Sequence, residues 1–259
     1  MESRDLTLAL VQADLAWENV DDNLARMDRL LAGVQGARVI VLPEMFTTGF
    51  SMNAPAVAET MNGKGVNWLL QTARRLRADV AGSLAIADGG HYYNRLVWAK
   101  PDGSLRHYDK RHLFSFAGED GHYTPGREAL VVEVDGWRIA PFICYDLRFP
   151  VWTRNREARY DLALYVANWP QRRAAHWKAL LPARAIENQS YVIGLNRVGA
   201  DGNGLAYSGD SLAIDPYGET LWKAQDGVEV RPLALSRSRL EEVRTQFPFL
   251  QDADDHELR

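Results

Sequence analysis

Short apolar runs that alternate with helical patterns are the feature of this sequence that most limits how the chain can fold. Residues 6–12 (LTLALVQ) and 37–45 (ARVIVLPEM) contain continuous apolar stretches, which are typical of strands buried on both faces. Residues 20–34 and 66–78 place apolar side chains at helical spacing. This alternation predicts βαβ units with parallel strands.

The middle of the chain has a different pattern, in which strands follow one another without a helix between them. Residues 80–87 and 93–100 predict neighbouring strands, and the PDG turn at 101–103 leads into a further strand. Asp135 and Gly136 divide the run ALVVEVDGWRIAPFIC into two strands, because both residues suit the positive φ of a tight hairpin. Antiparallel hairpins are therefore expected beside the βαβ units.

Two helices are predicted in the last third of the chain. The first covers residues 174–188, and Pro182 should interrupt or bend it, because proline lacks the amide hydrogen that a helix needs. The second covers residues 236–247, where Ser238 and Glu241 have the spacing of a capping box.

These elements together predict an α/β fold. About ten to twelve strands and four or five helices fit two mixed β-sheets packed together with helices outside. The length suits one domain over residues 1–259, with an acidic tail at about 250–259 that is too poor in apolar residues to pack. The helical faces could pack against a second copy, so we expect a homodimer.

Composition narrows the classes of partner. The chain is 46% hydrophobic and 25% charged, with a net charge of -4 and no dense run of lysine or arginine, so we expect no nucleic acid partner. Charges interrupt the N-terminus, and no apolar stretch approaches the roughly 18 residues of a membrane helix. We therefore expect a cytoplasmic protein that does not bind membranes. The single cysteine, Cys144, cannot form an intrachain disulfide and should be a free thiol.

Polar residues follow three of the predicted strands. Glu44 comes after VIVLP, Cys144 after IAPFI, and Asn168 and Trp169 after LALYVA. Ligands of open α/β sheets bind beyond the carboxyl ends of the strands, so these positions are candidates for one site. A poorly hydrated carboxylate at Glu44 suits a general base, but a helix cap or a surface ion pair is the simpler explanation of that residue taken alone.

Cys144 has two interpretations that the local sequence leaves open. A cysteine at the end of an apolar strand is commonly an inert core residue. The following YDLRFP, however, predicts a turn into a helix, where aligned amide groups would lower the pKa of the thiol and Tyr145 N–H would face an oxyanion. Asp146 and Arg148 could bind substrate, but two residues apart in a turn they are rather expected to brace it by a local ion pair.

Lys110 ends a predicted strand and precedes a long loop at residues 111–127. A catalytic lysine there would attract a thiolate and an oxyanion, whereas a solvated lysine is the simpler interpretation. Glu119 in the loop could hold the lysine or a substrate amide, or it could face water. The histidines lack metal-ligand spacing and the glycine-rich stretches lack the context of a nucleotide-binding loop, so we expect no metal and no cofactor.

Four motifs together resemble a known family. LPEMFTTGF, YDKRHLF, FICYDLRFP and ANWP, in this order, are similar to motifs of the nitrilase or carbon–nitrogen hydrolase superfamily, and the flanking residues look most like its ω-amidase branch. The resemblance implies a four-layer αββα sandwich that dimerises through helical faces. It also implies a catalytic triad at Glu44, Lys110 and Cys144, with Glu119 as an additional active-site carboxylate.

The function that this resemblance implies is hydrolysis of the ω-amide of small α-keto dicarboxylic acid monoamides, such as 2-oxoglutaramate or 2-oxosuccinamate, through a cysteine thioester. Two alternatives remain: the same chemistry on another carboxamide, a nitrile or a carbamoyl compound, or a binding protein without catalysis. Candidates for contact with a small-molecule amide are Tyr145, Phe46, Asn168, Trp169 and Arg173. The α-carboxylate needs a cation, for which Arg172 and Arg173 are candidates.

Overall fold

The computed structural model describes residues 5–254 and contains fourteen strands and six α-helices within them. The first half consists of β1 (Leu6–Gln12), α1 (Val20–Leu31), β2 (Val39–Val41), α2 (Ala54–Val57), α3 (Lys64–Leu76), β3 (Asp79–Asp88), β4 (His91–Ala99) and β5 (Leu105–Asp109). The second half consists of β6 (Val132–Val134), β7 (Trp137–Ile143), α4 (Pro150–Thr153), β8 (Leu162–Ala167), α5 (Ala174–Asn188), β9 (Tyr191–Asn196), β10 (Val198–Ala200), β11 (Ala206–Ser208), β12 (Leu212–Ile214), β13 (Thr220–Lys223), β14 (Glu229–Leu235) and α6 (Arg237–Gln246).

Twelve of these strands form two mixed sheets with the same internal pattern. The first sheet has the order β14-β1-β2-β3-β4-β5, and the second, followed in the matching direction, has the order β6-β7-β8-β9-β12-β13. In both, the successive pairs are antiparallel, parallel, parallel, antiparallel and antiparallel. The central strands of the parallel trios are β2 and β8, so their carboxyl ends are equivalent places in the two sheets.

The sheets pack face to face, and helices cover their outer faces. Along β1, Leu6, Leu8 and Leu10 belong to the core between the sheets, whereas Ala9 and Val11 belong to the core beneath the helices. This division follows from the alternation of side chains along a strand. Apolar residues of α1 and α3 cover the first sheet, and those of α5 pack on the second. The expected four-layer αββα sandwich is thereby confirmed.

Most predicted elements are present, but the predicted interruption of α5 and the predicted cap of α6 are wrong. Helix α5 continues through Pro182 without interruption, because its buried face, which includes Trp177 and Leu181, packs on the second sheet. Helix α6 is capped by Ser236, whose hydroxyl accepts a hydrogen bond from Arg239 N–H, and the predicted box at Ser238 is not the cap. Ser236 immediately precedes the helix, where the unpaired amide groups of the first turn can be reached.

The predicted acidic tail is more structured at its start than expected. Residues Phe249–Asp252 form a single 3₁₀ turn, and Gln189 accepts a hydrogen bond from Leu250 N–H at 3.3 Å. The remainder of the predicted tail from residue 255 onward lies outside the described residues. Within residues 5–254, no helix combines the length and apolar character needed to span a bilayer.

Replacing Gly194 of β9 by alanine should destabilise the fold. A Cβ at this position would lie 2.4 Å from Leu181 Cδ1 and 2.7 Å from Trp177 Cζ2, so α5 would have to move away from the sheet. We expect the free energy of unfolding in urea to fall by about 1–3 kcal/mol. Gly33→Ala is the control, because a Cβ there meets nothing within 4 Å, and a similar loss in both variants would contradict the packing argument.

Candidate active site

Three buried ionisable side chains meet between the carboxyl ends of β2 and β5 and the loop that follows β5. Lys110 Nζ lies 2.8 Å from Glu44 Oε1 and 3.0 and 2.9 Å from the two carboxylate oxygens of Glu119. The side chains of all three residues are fully enclosed. The lysine therefore bridges two carboxylates, and of the roles left open for Glu119 this geometry agrees with the one in which it holds the lysine.

Burial and neighbouring charges shift the pKa values of this cluster in opposite directions. Burial alone would lower the pKa of Lys110, but the negative charges of Glu119 and Glu44 outweigh it and raise that pKa, so the ammonium form is retained. Burial raises the pKa of the Glu119 carboxyl, and Lys110 opposes that rise. A permanently charged lysine suits electrostatic stabilisation better than proton transfer.

Asn94 on β4 bridges the two carboxylates and was missed in the sequence. Its Nδ2 donates to Glu44 Oε1 at 2.8 Å and to Glu119 Oε1 at 3.1 Å. Its Oδ1 accepts from Ser83 Oγ at 2.9 Å, and Ser83 in turn accepts from Met45 N–H at 2.8 Å. The signal that could have indicated it is a polar Asn inside an otherwise buried strand, since buried polar side chains need partners.

Asn168 fixes the position of Glu44 from the other sheet. The Asn168 N–H donates to Glu44 Oε2 at 2.7 Å, and its Nδ2 donates to the Glu44 main-chain oxygen at 2.6 Å. Since Glu44 follows β2 and Asn168 follows β8, the equivalent ends of the two sheets are joined directly. The expectation that residues beyond strand ends gather at one place thus agrees with the geometry.

Cys144 begins a 3₁₀ turn, Cys144–Arg148, directly after β7, and has a left-handed φ of 44°. Its Sγ lies 4.0 Å from the main-chain oxygen of Asn168. The predicted lowering of the thiol pKa is wrong: burial, and then the negative charge of Glu44, raise the pKa of Cys144, while Lys110 only partly offsets them. The prediction considered the turn and Lys110, whereas burial of the sulfur and the carboxylates of Glu44 and Glu119 outweigh both.

The turn after Cys144 is braced by Asp146, but not through the predicted ion pair with Arg148. The Asp146 carboxylate accepts hydrogen bonds from Ile143 N–H and Tyr108 O–H, at 3.0 and 2.7 Å. The Arg148 guanidinium instead lies 4.8 Å from the ring centroid of Trp169. Arg148 is directed towards a neighbouring cavity, where it is one of several cationic side chains.

A cavity of about 200 Å³ opens beside Cys144. Lys110, Cys144 and Tyr145 form its inner part, and Asn168, Trp169 and Arg173 contribute to its wall as the sequence predicted. Further aromatic residues and the β10–β11 segment complete the wall: Phe50, Phe114, Phe116, Leu205 and Tyr207. The dimensions fit a small molecule whose reacting group lies at the thiol.

Phe46, which was predicted to contact substrate, does not line this cavity. Its ring is fully buried in the core beneath the helices, 5.8 Å from the ring of Trp68. The chain turns at Met45, whose φ is 44°, and this turn directs Phe46 back into the core. Phe50 takes the predicted place, with its ring 4.9 Å from Lys110 Nζ.

Arg148, Arg172 and Arg173 all line the cavity. In the described part of the chain, none of the three has a carboxylate within ion-pair distance, whereas arginines elsewhere, such as Arg95 and Arg244, are paired. Burial, and then the charges of Arg172 and Arg148, lower the pKa of Arg173. Among the described residues, Asp201 is the one acidic residue that lines the same cavity, so the three arginines leave its wall with an excess of positive charge, which attracts an anionic group of a ligand.

No group of three or more His, Cys, Asp or Glu side chains among residues 5–254 is arranged to hold a metal ion.

The model of the family described as carbon–nitrogen hydrolase matches residues 7–245. The chain belongs to the carbon–nitrogen hydrolase family. This membership confirms the resemblance on which the triad was predicted.

Carbon–nitrogen hydrolases of known name and structure match almost the whole chain. The omega-amidase YafV of Escherichia coli strain K12 is 50% identical over 254 residues, covering 98% of each chain. The 2-oxoglutaramate amidase of Bacillus subtilis strain 168 is 33% identical and covers 95% of this chain and 96% of that one. A crystal structure of a CN-hydrolase superfamily protein from Xanthomonas campestris, with an arsenic adduct in its active site, has a TM-score of 0.97 at 45% identity and covers 99% of this chain and 100% of that one.

The ionisation of Cys144 can be measured directly, because it is the only cysteine. Since the pKa of the thiol is raised, wild-type protein should show no thiolate absorbance at 240 nm at pH 8.5, where an ordinary thiol of pKa about 8.5 is half ionised. Glu44→Gln removes a negative charge beside the sulfur, so the thiolate should appear at lower pH than in wild type. Cys144→Ser supplies the baseline, and a wild-type thiolate half formed at or below pH 8.5 would contradict the assignment.

Proposed function

We propose that the protein is an ω-amidase, which hydrolyses the terminal amide of small α-keto dicarboxylic acid monoamides such as 2-oxoglutaramate and 2-oxosuccinamate. The observation that carries the proposal is a cavity lined by Cys144, by Lys110 with its two carboxylate partners behind it, and by three arginines that have no carboxylate partner in the described chain. The likeness to an omega-amidase and a 2-oxoglutaramate amidase supports the same substrate class. The products are ammonia and the corresponding dicarboxylic acid.

Acylation begins with a thiol rather than a preformed thiolate, because the pKa of Cys144 is raised. Glu44 accepts the thiol proton as the sulfur attacks the amide carbon, so the charge on sulfur does not build up in a buried site. The oxyanion that forms is stabilised by Lys110 and by the N–H of Tyr145. Glu44 then gives its proton to the leaving nitrogen, and ammonia departs as the carbonyl re-forms in a thioester.

Deacylation repeats this sequence with water as the nucleophile. Glu44 removes a proton from water, the oxygen attacks the thioester carbon, and the same donors stabilise the second oxyanion. The proton returns to sulfur as the acid leaves. Glu119 and Asn94 contribute by holding Lys110 and Glu44 in place through these steps.

The three arginines of the cavity wall could bind the carboxylate of an acidic substrate. A monoamide of an α-keto dicarboxylic acid carries one carboxylate at the end opposite the reacting amide. Arg173 is the candidate for its recognition, since its guanidinium lies 4.9 Å from the ring centroid of Phe114 and has no carboxylate partner in the described chain. Arg172 and Arg148 add positive charge to the same wall.

The nucleophile is tested by Cys144→Ala. We expect wild-type protein to release ammonia from 2-oxoglutaramate and the variant to retain less than about 10⁻³ of that rate, because no thioester can form. Mass spectrometry of quenched wild-type protein should find the acyl group on Cys144. Equal ammonia release by both proteins would refute the mechanism, whereas turnover of a nitrile or carbamoyl compound in preference to the monoamides would assign a different substrate.

The carboxylate subsite is tested by Arg173→Met, which keeps an apolar side chain against Phe114. Loss of a charge-assisted hydrogen bond of about 1.5–3 kcal/mol should lower kcat/KM for 2-oxoglutaramate by about tenfold to hundredfold. For an uncharged amide of similar length, kcat/KM should change by less than threefold. Arg106→Met, on the exposed side of β5, is the control; equal losses for charged and uncharged substrates in Arg173→Met would exclude this role.

We also propose that the protein is a cytoplasmic homodimer with one domain. The dimer is supported by exposed apolar side chains near the end of α5: Ile186 is 54% exposed and Phe249 is 61% exposed. Gln189 holds the segment that carries Phe249 close to α5, because its side chain bonds to Phe247 O and Leu250 N. Exposed apolar groups of this kind are typical of a surface that is covered by another subunit.

A further inference from the structure

Asp146 lies two residues after Cys144 and is fully buried. It differs from Glu44 and Glu119 because its partners are neutral donors and a histidine, not a lysine. Its Oδ2 accepts from Ile143 N–H at 3.0 Å and from Tyr108 O–H at 2.7 Å. Its Oδ1 accepts from His112 N–H at 3.0 Å and lies 2.8 Å from His112 Nδ1.

These partners come from two separate segments of the chain. Ile143 precedes Cys144 on β7, whereas Tyr108 and His112 lie two residues before and two residues after Lys110. A single carboxylate therefore joins the turn that carries the sulfur to both sides of the residue that carries the ammonium group. Rigid attachment at both sides of Lys110 limits movement of its main chain relative to Cys144.

The same segments make further contacts that depend on the position of the carboxylate. Tyr108 O–H, which donates to Asp146, accepts from Trp152 Nε1 at 2.9 Å. The His112 ring stacks on Phe149, with centroids 3.7 Å apart, just beyond the Cys144 turn. Loss of Asp146 would leave these aromatic contacts without the hydrogen bonds that set their orientation.

Cys144 also needs support because its backbone is unfavourable for a residue with a side chain. Its φ of 44° lies in the left-handed region, which residues other than glycine occupy at an energetic cost. The bond from Ile143 N–H to Asp146 closes the turn across Cys144. The surrounding structure must hold such a conformation, and Asp146 is the group that spans it.

We infer that Asp146 is a positioning residue, which holds the Cys144 turn in its left-handed conformation and sets the distance from Sγ to the Glu44–Lys110 pair. The inference rests on the proposed function for its catalytic consequence, although the positioning itself is independent of the substrate. Asp146 touches neither substrate nor reacting atoms. Its effect reaches the reaction only through Cys144 and Lys110.

The test compares Asp146→Asn with wild type in two measurements. The first is the rate of alkylation of Cys144 by iodoacetamide as a function of pH, followed by mass spectrometry. In the variant the Cys144 turn should loosen and the sulfur should leave its buried place beside Glu44, so the two largest causes of its raised pKa weaken and the apparent pKa of alkylation should fall towards the ordinary value of about 8.5. The second is hydrolysis of 2-oxoglutaramate, for which kcat should fall at least tenfold while KM changes less than threefold.

Asp79→Asn is the matched control. Asp79 is also a buried carboxylate that accepts a hydrogen bond, from Trp98 Nε1 at 2.7 Å, but it begins β3 and lies away from the cavity. This control should leave the alkylation profile and kcat unchanged, whatever it does to the melting temperature. If both variants shifted the profile equally, the effect would be one of general stability and the inference would be overturned.

Tyr108→Phe provides a second test in case Asp146→Asn does not fold. It removes one hydrogen bond to Asp146 from the Lys110 side, so the alkylation pKa and kcat should change in the same directions by smaller amounts, with kcat at least threefold lower. A folded Asp146→Asn, or failing that Tyr108→Phe, with a wild-type profile and kcat within twofold would overturn the inference. If wild-type protein released no ammonia from either monoamide, the proposed function would fail, while alkylation would still decide the role of Asp146.

Discussion

The ammonium group of Lys110, enclosed between the carboxylates of Glu44 and Glu119, is the interaction on which the site depends. Two carboxyl groups and one ammonium group are buried together in a region with little water. Such a group is stable only if further hydrogen bonds compensate the lost hydration. Asn94 and the N–H of Asn168 supply them, and neither residue adds charge.

This compensation also determines which form of Cys144 is present. A thiolate would place a negative charge in a buried site beside Glu44, so burial and Glu44 keep the proton on sulfur. A thiol near a carboxylate with an available oxygen is stable until a substrate carbonyl arrives. The charge then passes to an oxygen that Lys110 can stabilise, and the unfavourable intermediate state of a buried thiolate is avoided.

Local patterns in the sequence were sufficient to predict the layers of the fold and the positions where strands end, because apolar alternation depends on neighbouring residues alone. The same patterns were sufficient to identify Glu44 and Asn168 as candidate site residues, whereas the assignment of Lys110 and Glu119 to the site needed the family resemblance. Asn94 was missed because one polar residue in a strand has no local signature of its partners. The pKa of Cys144 was predicted in the wrong direction, and Phe46 was placed in the wrong environment, because each depends on segments or backbone turns that no sequence spacing describes.

The repeated pattern of strands in the two sheets has a consequence for how the family can diversify. Glu44, Asn94 and Lys110 belong to the first sheet and the ends of its strands, whereas Cys144 and the three cavity arginines belong to the second half. At the site the halves are joined by Asn168 with Glu44 and by Asp146 with Tyr108 and His112, and loops of both halves line the cavity. Cavity residues that take no part in these bonds can therefore vary without altering the contacts that hold Glu44 and Lys110.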